Sequence, residues 1–150
     1  MLGELLLEDL IETKVFDVAI VNTDAGNVPV VFLIDQEDRI LPIFIDEQQA
    51  FSIKAGIEGN MQVPLTHDLM MDVFKELDVK VLSAKIYDLV ENRYCAKISL
   101  NVKGEVKDFE CRSSDAIALA VRSQSPIYAA NKIMSEMSIM KKDLLEGKSE

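Results

Sequence analysis

The chain has 150 residues, of which 49% are hydrophobic and 28% are charged, and its formal net charge is −10. This length suits one domain with a core of its own. The negative charge argues against a strong nonspecific grip on nucleic acid, which needs clustered Lys and Arg, but it leaves room for a local basic patch or a metal-bridged phosphate.

The apolar runs and the cysteines of the sequence indicate the cellular compartment of the protein. No apolar run of the sequence approaches the roughly 20 residues of a membrane helix, and Leu5–Leu7 is too short and too close to acidic residues for a signal peptide. We therefore expect a cytoplasmic protein without membrane contact. Cys95 and Cys111 fall inside predicted strands, and two cysteines with one histidine cannot form a zinc site without carboxylates. We expect reduced, buried thiols.

The first part of the chain predicts an arm, three strands and a helix. Residues 1–12 alternate Leu with acidic residues, and we expect an N-terminal arm or a short helix there. Runs rich in β-branched residues, separated by turn residues, then predict a meander of strands at residues 13–22, 28–35 and 39–45. A helix follows to about Gly59, with Asp46 and Glu47 in its first turn, where carboxylates suit the helix dipole.

Three strands followed by a helix occur a second time. Apolar residues on one helical face predict a helix over 67–78. The second set of strands is expected at residues 79–90, 93–103 and 105–112. The helix from Ser114 to about Arg122 has no polar face along most of its length, so we expect the sheet and another helix, or another subunit, to bury it.

The chain ends with a short strand from Pro126 and a helix that Asn131 can cap. These elements predict an α+β fold in which two three-stranded antiparallel meanders, each followed by helices, pack as one domain. We place the domain at residues 13–140, between the arm (1–12) and a charged C-terminal tail (141–150) that we expect to fray.

Two predicted helices begin with the same short motif, which is a hydroxyl residue, any residue and an aspartate. In the first, Thr66 fits an N-cap and is followed by His67 and Asp68. His67 is the one histidine of the chain, and imidazole titrates near neutral pH, so it can act as a general acid or base or bind a metal beside Asp68. The alternative is a plain helix cap followed by an exposed histidine.

The second such start is Arg112-Ser113-Ser114-Asp115. Ser113 is expected to cap the helix, and Asp115 then lies at the same helical position as Asp68. Arg112 can hold a phosphate or a carboxylate with two parallel hydrogen bonds, and Asp115 can bind a divalent metal. The alternative is an ion pair of Arg112 with Asp115 or with Glu110.

Asp46-Glu47 is a third acidic helix start. Three converging carboxylates, from Glu47, Asp68 and Asp115, would suit Mg²⁺ or Mn²⁺, which prefer oxygen ligands. The sequence leaves open whether these carboxylates converge, and whether they would do so within one chain or between chains.

Three stretches of the chain resemble the bifunctional nuclease domain family, and their order and spacing agree with it over about residues 13 to 140. They are Leu41-Pro42-Ile43-Phe44-Ile45 followed by Glu47 and Ala50, Pro64-Leu65-Thr66-His67-Asp68-Leu69, and Arg112-Ser113-Ser114-Asp115-Ala116-Ile117-Ala118-Leu119-Ala120. The resemblance implies an α+β domain that self-associates and a nuclease activity on DNA and RNA. The site residues that it implies are Glu47, Thr66, His67, Asp68, Arg112, Ser114 and Asp115.

The chain departs from the family pattern at two positions. Val63 stands where the family usually has a basic residue, and the loss of this cation weakens the case for phosphate binding. Ser113 stands where the family usually has a proline, and a serine there still offers a helix cap.

Two main hypotheses follow. In the first, the protein is a metal-assisted nuclease: Asp68, Asp115 and Glu47 hold Mg²⁺ or Mn²⁺, and His67 transfers a proton. The residues that would contact the substrate are then Thr66, Arg112, Ser113 and Ser114. In the second, the protein is a non-catalytic, homo-oligomeric binding or regulatory module whose motif residues are structural. A small-anion binder that uses the two helix starts is a third option.

Overall fold

The computed structural model describes residues 9–59 and 63–148, which form one eight-stranded mixed sheet with five helices. The strands are β1 (Leu10–Thr23), β2 (Gly26–Ile34), β3 (Arg39–Phe44), β4 (Val79–Val90), β5 (Arg93–Val102), β6 (Glu105–Arg112), β7 (Ile127–Ala130) and β8 (Ile139–Met140). The helices are α1 (Glu47–Glu58), α2 (Thr66–Glu76), α3 (Ser113–Ser123), α4 (Asn131–Met137) and α5 (Lys141–Lys148). The predicted α+β class is confirmed.

The strands join in the order β6-β5-β4-β7-β1-β2-β3-β8. Strand β7 connects the two halves, because it pairs antiparallel with β1 and parallel with β4. The first four residues of β1 pair with β7 and the rest pair with β2. The sequence prediction started β1 at residue 13 and so missed this link. Of the predicted arm, residues 1–8 lie outside the described residues, and residues 10–12 belong to β1.

The bounds of most predicted helices and strands agree closely with the structure, but β8 and α5 were not predicted, and α5 lies where a charged tail was expected to fray. Three expected caps are also wrong by one residue. Thr66, Ser113 and Asn131 were expected to precede their helices, and each is the first helical residue instead. The residues before them make no side-chain cap bond. At α2 the backbone N–H of Leu65, the residue before the helix, donates to the carboxylate of Asp68 at 2.9 Å.

Helix α3 lies at the centre of the main core, as its apolar sequence predicted. Residues 116–120 are all buried, and α3 contacts α1, α2 and the sheet strands β4 and β5. A smaller cluster on the other face of β2 includes Val30, Phe32 and Ile40, with Leu144 of α5 packed against it. Alternate residues of β2 therefore point into two apolar clusters, which fixes the register of this strand.

Helix α1 approaches α3 closely at Gly56. A Cβ atom on Gly56 would lie 2.8 Å from Cγ2 of Val121 and 2.8 Å from Nη1 of Arg122. Glycine costs helix stability at this position, but it allows the side chains of Val121 and Arg122 to pack against the backbone of α1. None of the helices in residues 9–59 and 63–148 is long and apolar enough to span a bilayer.

Candidate active site

The starts of α1 and α2 open onto a cavity of about 1080 Å³. The polar side chains that line it include Glu47, Ser52, Thr66, His67, Glu110, Arg112 and Asp115. Its apolar side is formed by Phe51, Met70, Phe74, Ile98, Leu100, Phe109 and Leu119. Three helices and the face of β5 and β6 thus border one open cavity with a polar and an apolar part.

The imidazole of His67 is held at both nitrogens. Nδ1 lies 2.7 Å from Oγ of Ser52, and Nε2 lies 2.9 Å from Oδ1 of Asp115. An ionised carboxylate can only accept, so Nε2 carries the proton and donates to Asp115. In the neutral ring Nδ1 then accepts the hydroxyl proton of Ser52. Because the ring is only 13% exposed, these bonds fix its orientation.

Asp115 is the third residue of α3, where a carboxylate also suits the helix dipole. It accepts from Nε of Arg112 at 2.9 Å and from Nη2 of Arg112 at 3.3 Å, besides its bond from His67. Burial raises the pKa of this carboxyl, but the hydrogen bonds and charges of Arg112 and His67 outweigh burial and lower it overall. Asp115 is therefore ionised at neutral pH.

Arg112 lies at the rim of the cavity with 68% of its side chain exposed. The hydrogen bond to Asp115 raises its pKa, so the guanidinium stays charged at all relevant pH values. The ion pair predicted as the alternative use of Arg112 therefore forms with Asp115. It uses two of the five guanidinium N–H groups, and the others remain for an anionic ligand.

Asp68 does not line this cavity, although it holds the same helical position in α2 that Asp115 holds in α3. Its Oδ1 accepts from Nε of Arg122 at 2.8 Å, and the side chain of Arg122 is only 6% exposed. The hydrogen bond from Arg122 lowers the pKa of Asp68 against the opposing effect of burial, and the backbone N–H of Leu65 lowers it further. The pair joins α2 to α3 beside a second cavity of about 410 Å³.

The hydroxyl residues predicted to bind the substrate do not all line the main cavity. Thr66 is exposed and lines the cavity, whereas Ser113 and Ser114 are not among its lining residues. The side chain of Ser114 is buried, and its hydroxyl has no hydrogen-bond partner in the described part of the chain.

The carboxylates do not form a metal-binding set. Over residues 9–59 and 63–148, no three His, Cys, Asp or Glu side chains lie close enough together to hold a metal ion. Glu47 lines the main cavity, but the oxygens of Asp68 bind Arg122 and those of Asp115 bind Arg112 and His67. The three expected ligands therefore do not converge on one site for Mg²⁺ or Mn²⁺, as bound carboxylate ligands of these ions would.

The two cysteines are free, as expected, but they are partly rather than fully buried. Cys111 lies on the sheet face that lines the cavity. Burial raises the pKa of its thiol to about 11, so the thiol is protonated at neutral pH and is not an activated nucleophile.

Sequence reasoning missed Ser52 and Arg122. Ser52 lies within α1, where a serine carries no sequence signal, and its bond to His67 depends on how α1 packs against α2. Arg122 did carry a signal, because a single cation in the last turn of a buried apolar helix needs an acidic partner.

The chain is similar to known proteins over the part of the sequence that forms the cavity. The profile of the family described as "Bifunctional nuclease domain" matches residues 30–142, which include every residue that lines the main cavity. An uncharacterized protein of Mycobacterium tuberculosis is 31% identical over 116 residues, which cover 76% of this chain and 69% of that protein.

Two plant proteins are also similar, each named Bifunctional nuclease 2. The protein of Oryza sativa subsp. japonica is 27% identical over 97 residues, covering 62% of this chain and 30% of its own length. The protein of Arabidopsis thaliana is 28% identical over 127 residues, covering 76% of this chain and 38% of its own length.

Proposed function

The chain belongs to the bifunctional nuclease domain family, and from that premise we propose that it hydrolyses phosphodiester bonds of DNA or RNA in the cavity that holds His67. The observation that carries the proposal is the bond between His67 and Asp115 beside the exposed guanidinium of Arg112. The three residues place a proton-transfer group next to a phosphate-binding group in one cavity.

Arg112 binds the phosphate in this proposal. Its free N–H groups can contact the non-bridging oxygens of one phosphate while the bond to Asp115 holds the guanidinium in place. The Asp46 and Glu47 carboxylates at the start of α1 lie on the same cavity and repel additional phosphates. A substrate therefore places one phosphate at Arg112 and does not lay a long backbone along the surface.

The apolar side of the cavity receives a base. Phe74 and Phe109 belong to this side, and aromatic rings are common stacking partners for unpaired bases. A base inside a duplex cannot enter a cavity of this kind unless it is flipped out. With a net charge of −10 on the chain, we propose single-stranded or short nucleic acid as the substrate.

The proposed roles of the site residues do not include binding of a divalent metal. The expected ligands Glu47, Asp68 and Asp115 do not converge on one site for Mg²⁺ or Mn²⁺, and His67, Asp115 and Arg112 carry the proposed roles without a metal. The metal dependence stays a prediction, which the assay below measures directly.

The second candidate function is a non-catalytic homo-oligomeric module, and exposed apolar residues along α2 and at its C-terminal end favour it. Leu69, Val73 and Leu77 follow one another at four-residue spacing and are 59%, 44% and 58% exposed. Such a stripe is typical of a surface that contacts another chain. Light scattering measures the oligomeric state. An oligomer that cleaves no nucleic acid is expected under the module hypothesis and not under the nuclease hypothesis.

Cleavage of labelled single-stranded DNA and RNA by highly purified protein tests the proposal, with Mg²⁺, with Mn²⁺ and with chelator. We expect cleavage by the wild type and its loss in His67→Gln and Asp115→Asn. The matched control is Asp72→Asn, since Asp72 is an exposed carboxylate of α2 outside the main cavity. Equal cleavage in all four proteins would mean a contaminant, and no cleavage by the folded wild type would favour the module.

A further inference from the structure

The two bonds of His67 restrict which proton it can accept. Nε2 already carries a proton and donates it to Asp115, so Nδ1 is the basic nitrogen. The group that faces Nδ1 is the hydroxyl of Ser52, at 2.7 Å. In this geometry His67 accepts a proton from Ser52, and it cannot reach a water or a substrate hydroxyl without losing that bond.

The same geometry activates Ser52. A serine hydroxyl is a weak nucleophile unless an adjacent base accepts its proton as it attacks. Serine hydrolases meet this need with a Ser-His-Asp chain in which serine faces Nε2 and aspartate faces Nδ1. Here the two ring nitrogens are exchanged, but the order of donor and acceptor is kept: Ser52 donates to His67, and His67 donates to Asp115.

Ser52 also has access to a substrate. It lines the main cavity together with Arg112, although only 6% of the residue is exposed. This burial limits the contact of the hydroxyl with bulk water, which would otherwise compete for the proton of the serine.

We propose that Oγ of Ser52 is the nucleophile of this chain and that cleavage proceeds through a phosphoserine. This inference rests on the proposed phosphodiesterase function. Oγ bonds to phosphorus as its proton passes to Nδ1 of His67. The bond from phosphorus to the leaving oxygen, which lies opposite Oγ, breaks, and that oxygen takes a proton from a water molecule while Nδ1 keeps the serine proton.

The second half of the reaction restores the serine. Water attacks the phosphorus from the side opposite Oγ and releases a proton, which neutralises the hydroxide left by the first half. The bond between phosphorus and Oγ breaks, and Oγ takes its proton back from Nδ1. The sum is hydrolysis of one phosphodiester by one water, with no redox change. Asp115 stabilises the imidazolium in both halves, and Arg112 holds the non-bridging oxygens.

A covalent probe tests the nucleophile directly. Wild type, Ser52→Ala, His67→Gln and the control Ser123→Ala are incubated with a fluorophosphonate, and the adduct is located by peptide mass spectrometry. Ser123 is a suitable control because it is a helical, partly buried serine whose hydroxyl donates to the Leu119 carbonyl. We expect one adduct on Ser52 in the wild type and in Ser123→Ala, none in Ser52→Ala, and at least about tenfold slower labelling in His67→Gln.

Turnover of bis(p-nitrophenyl) phosphate gives the second readout, with thermal unfolding as a check on the fold. We expect Ser52→Ala to lower kcat by about 100-fold or more. Wild-type turnover without an adduct on Ser52, or Ser52→Ala turnover above half of the wild-type rate, overturns the serine nucleophile and leaves the proposed function standing. An adduct on Ser52 without any phosphodiester cleavage overturns the proposed function and keeps the activated serine. If the wild type shows no adduct on Ser52 and no cleavage, the serine nucleophile and the proposed function are both overturned.

Discussion

Nε2 of His67 lies 2.9 Å from Oδ1 of Asp115, although 48 positions separate the two residues in the chain. His67 is the second residue of α2 and Asp115 is the third residue of α3. The bond therefore connects two helix starts, and the position of the imidazole depends on how α2 packs against α3. Its chemical effect is to place the proton of the neutral ring on Nε2.

Asp115→Asn tests this effect. An asparagine amide can turn its NH₂ group toward Nε2, which favours the other tautomer and puts a proton on Nδ1. Nδ1 could then no longer accept from Ser52. We expect kcat for bis(p-nitrophenyl) phosphate to fall by about 10²- to 10⁴-fold. Asp72→Asn should retain wild-type kinetics, and a folded Asp115→Asn protein within about threefold of wild type would contradict the assignment.

Arg112 should dominate the salt dependence of binding. If one phosphate contacts one guanidinium, the slope of log affinity against log salt for single-stranded DNA is about −0.7. Arg112→Gln should weaken binding and bring the slope close to zero. Fluorescence anisotropy of a labelled oligonucleotide over a range of salt concentrations measures both quantities.

The matched control for Arg112 is Arg93→Gln, since Arg93 is an exposed arginine at the start of β5 outside the cavity lining. It should leave the slope unchanged. A wild-type slope that corresponds to several phosphates would place the binding surface elsewhere on the protein.

Gly56→Ala should destabilise the protein, which is the opposite of the usual effect. Alanine in an open helical site is worth about 1 kcal/mol more than glycine. At this site the new Cβ would lie 2.8 Å from Val121 and from Arg122, so α1 must move away from α3. We expect the free energy of unfolding in urea to fall by roughly 1–2 kcal/mol. Lys54→Ala, at an exposed position of the same helix, should not lower it, and a stabilised Gly56→Ala would refute the close-packing argument.

Local signals predicted most of the elements and the part of the site that lies at the helix starts. The strands and helices could be assigned because turn residues separate runs with clear periodicity. The shared helical position of Asp68 and Asp115 followed from two similar motifs and is confirmed. The burial of α3 followed from its lack of a polar face, and it is also confirmed.

The features of the fold and of the site that the sequence did not predict depend on contacts between elements that are distant in the chain. Strand β7 has four residues, and only its pairing with β1 and β4 shows that it joins the sheet halves. The motif could not show that Asp68 turns to Arg122 while Asp115 turns to His67, because that difference depends on which helix end lies opposite each carboxylate. Ser52 was missed for the same reason.

Asp68→Asn should destabilise the protein in a way that depends on pH. The ion pair with Arg122 lowers the pKa of Asp68 in the folded protein below its ordinary value of 3.8. The stabilisation by this pair is therefore complete well above pH 3.8 and is lost as the pH falls through the lowered folded pKa. At pH 7 we expect Asp68→Asn to reduce the free energy of unfolding by about 2 kcal/mol, because it leaves the buried Arg122 without a charged partner.

Urea unfolding of wild type and Asp68→Asn between pH 7 and pH 2.5 measures this difference. It should shrink below about pH 4, since a protonated aspartic acid and an asparagine are both neutral partners for Arg122. Other carboxylates also titrate in this range, so the same difference is measured for Asp24→Asn, an exposed carboxylate in the turn between β1 and β2, which should stay near zero at every pH. A difference for Asp68→Asn that stays constant down to the lowest pH would mean that the charge of Asp68 does not stabilise the junction of α2 and α3. Its contribution would then come from hydrogen-bond geometry that asparagine disrupts equally in both protonation states.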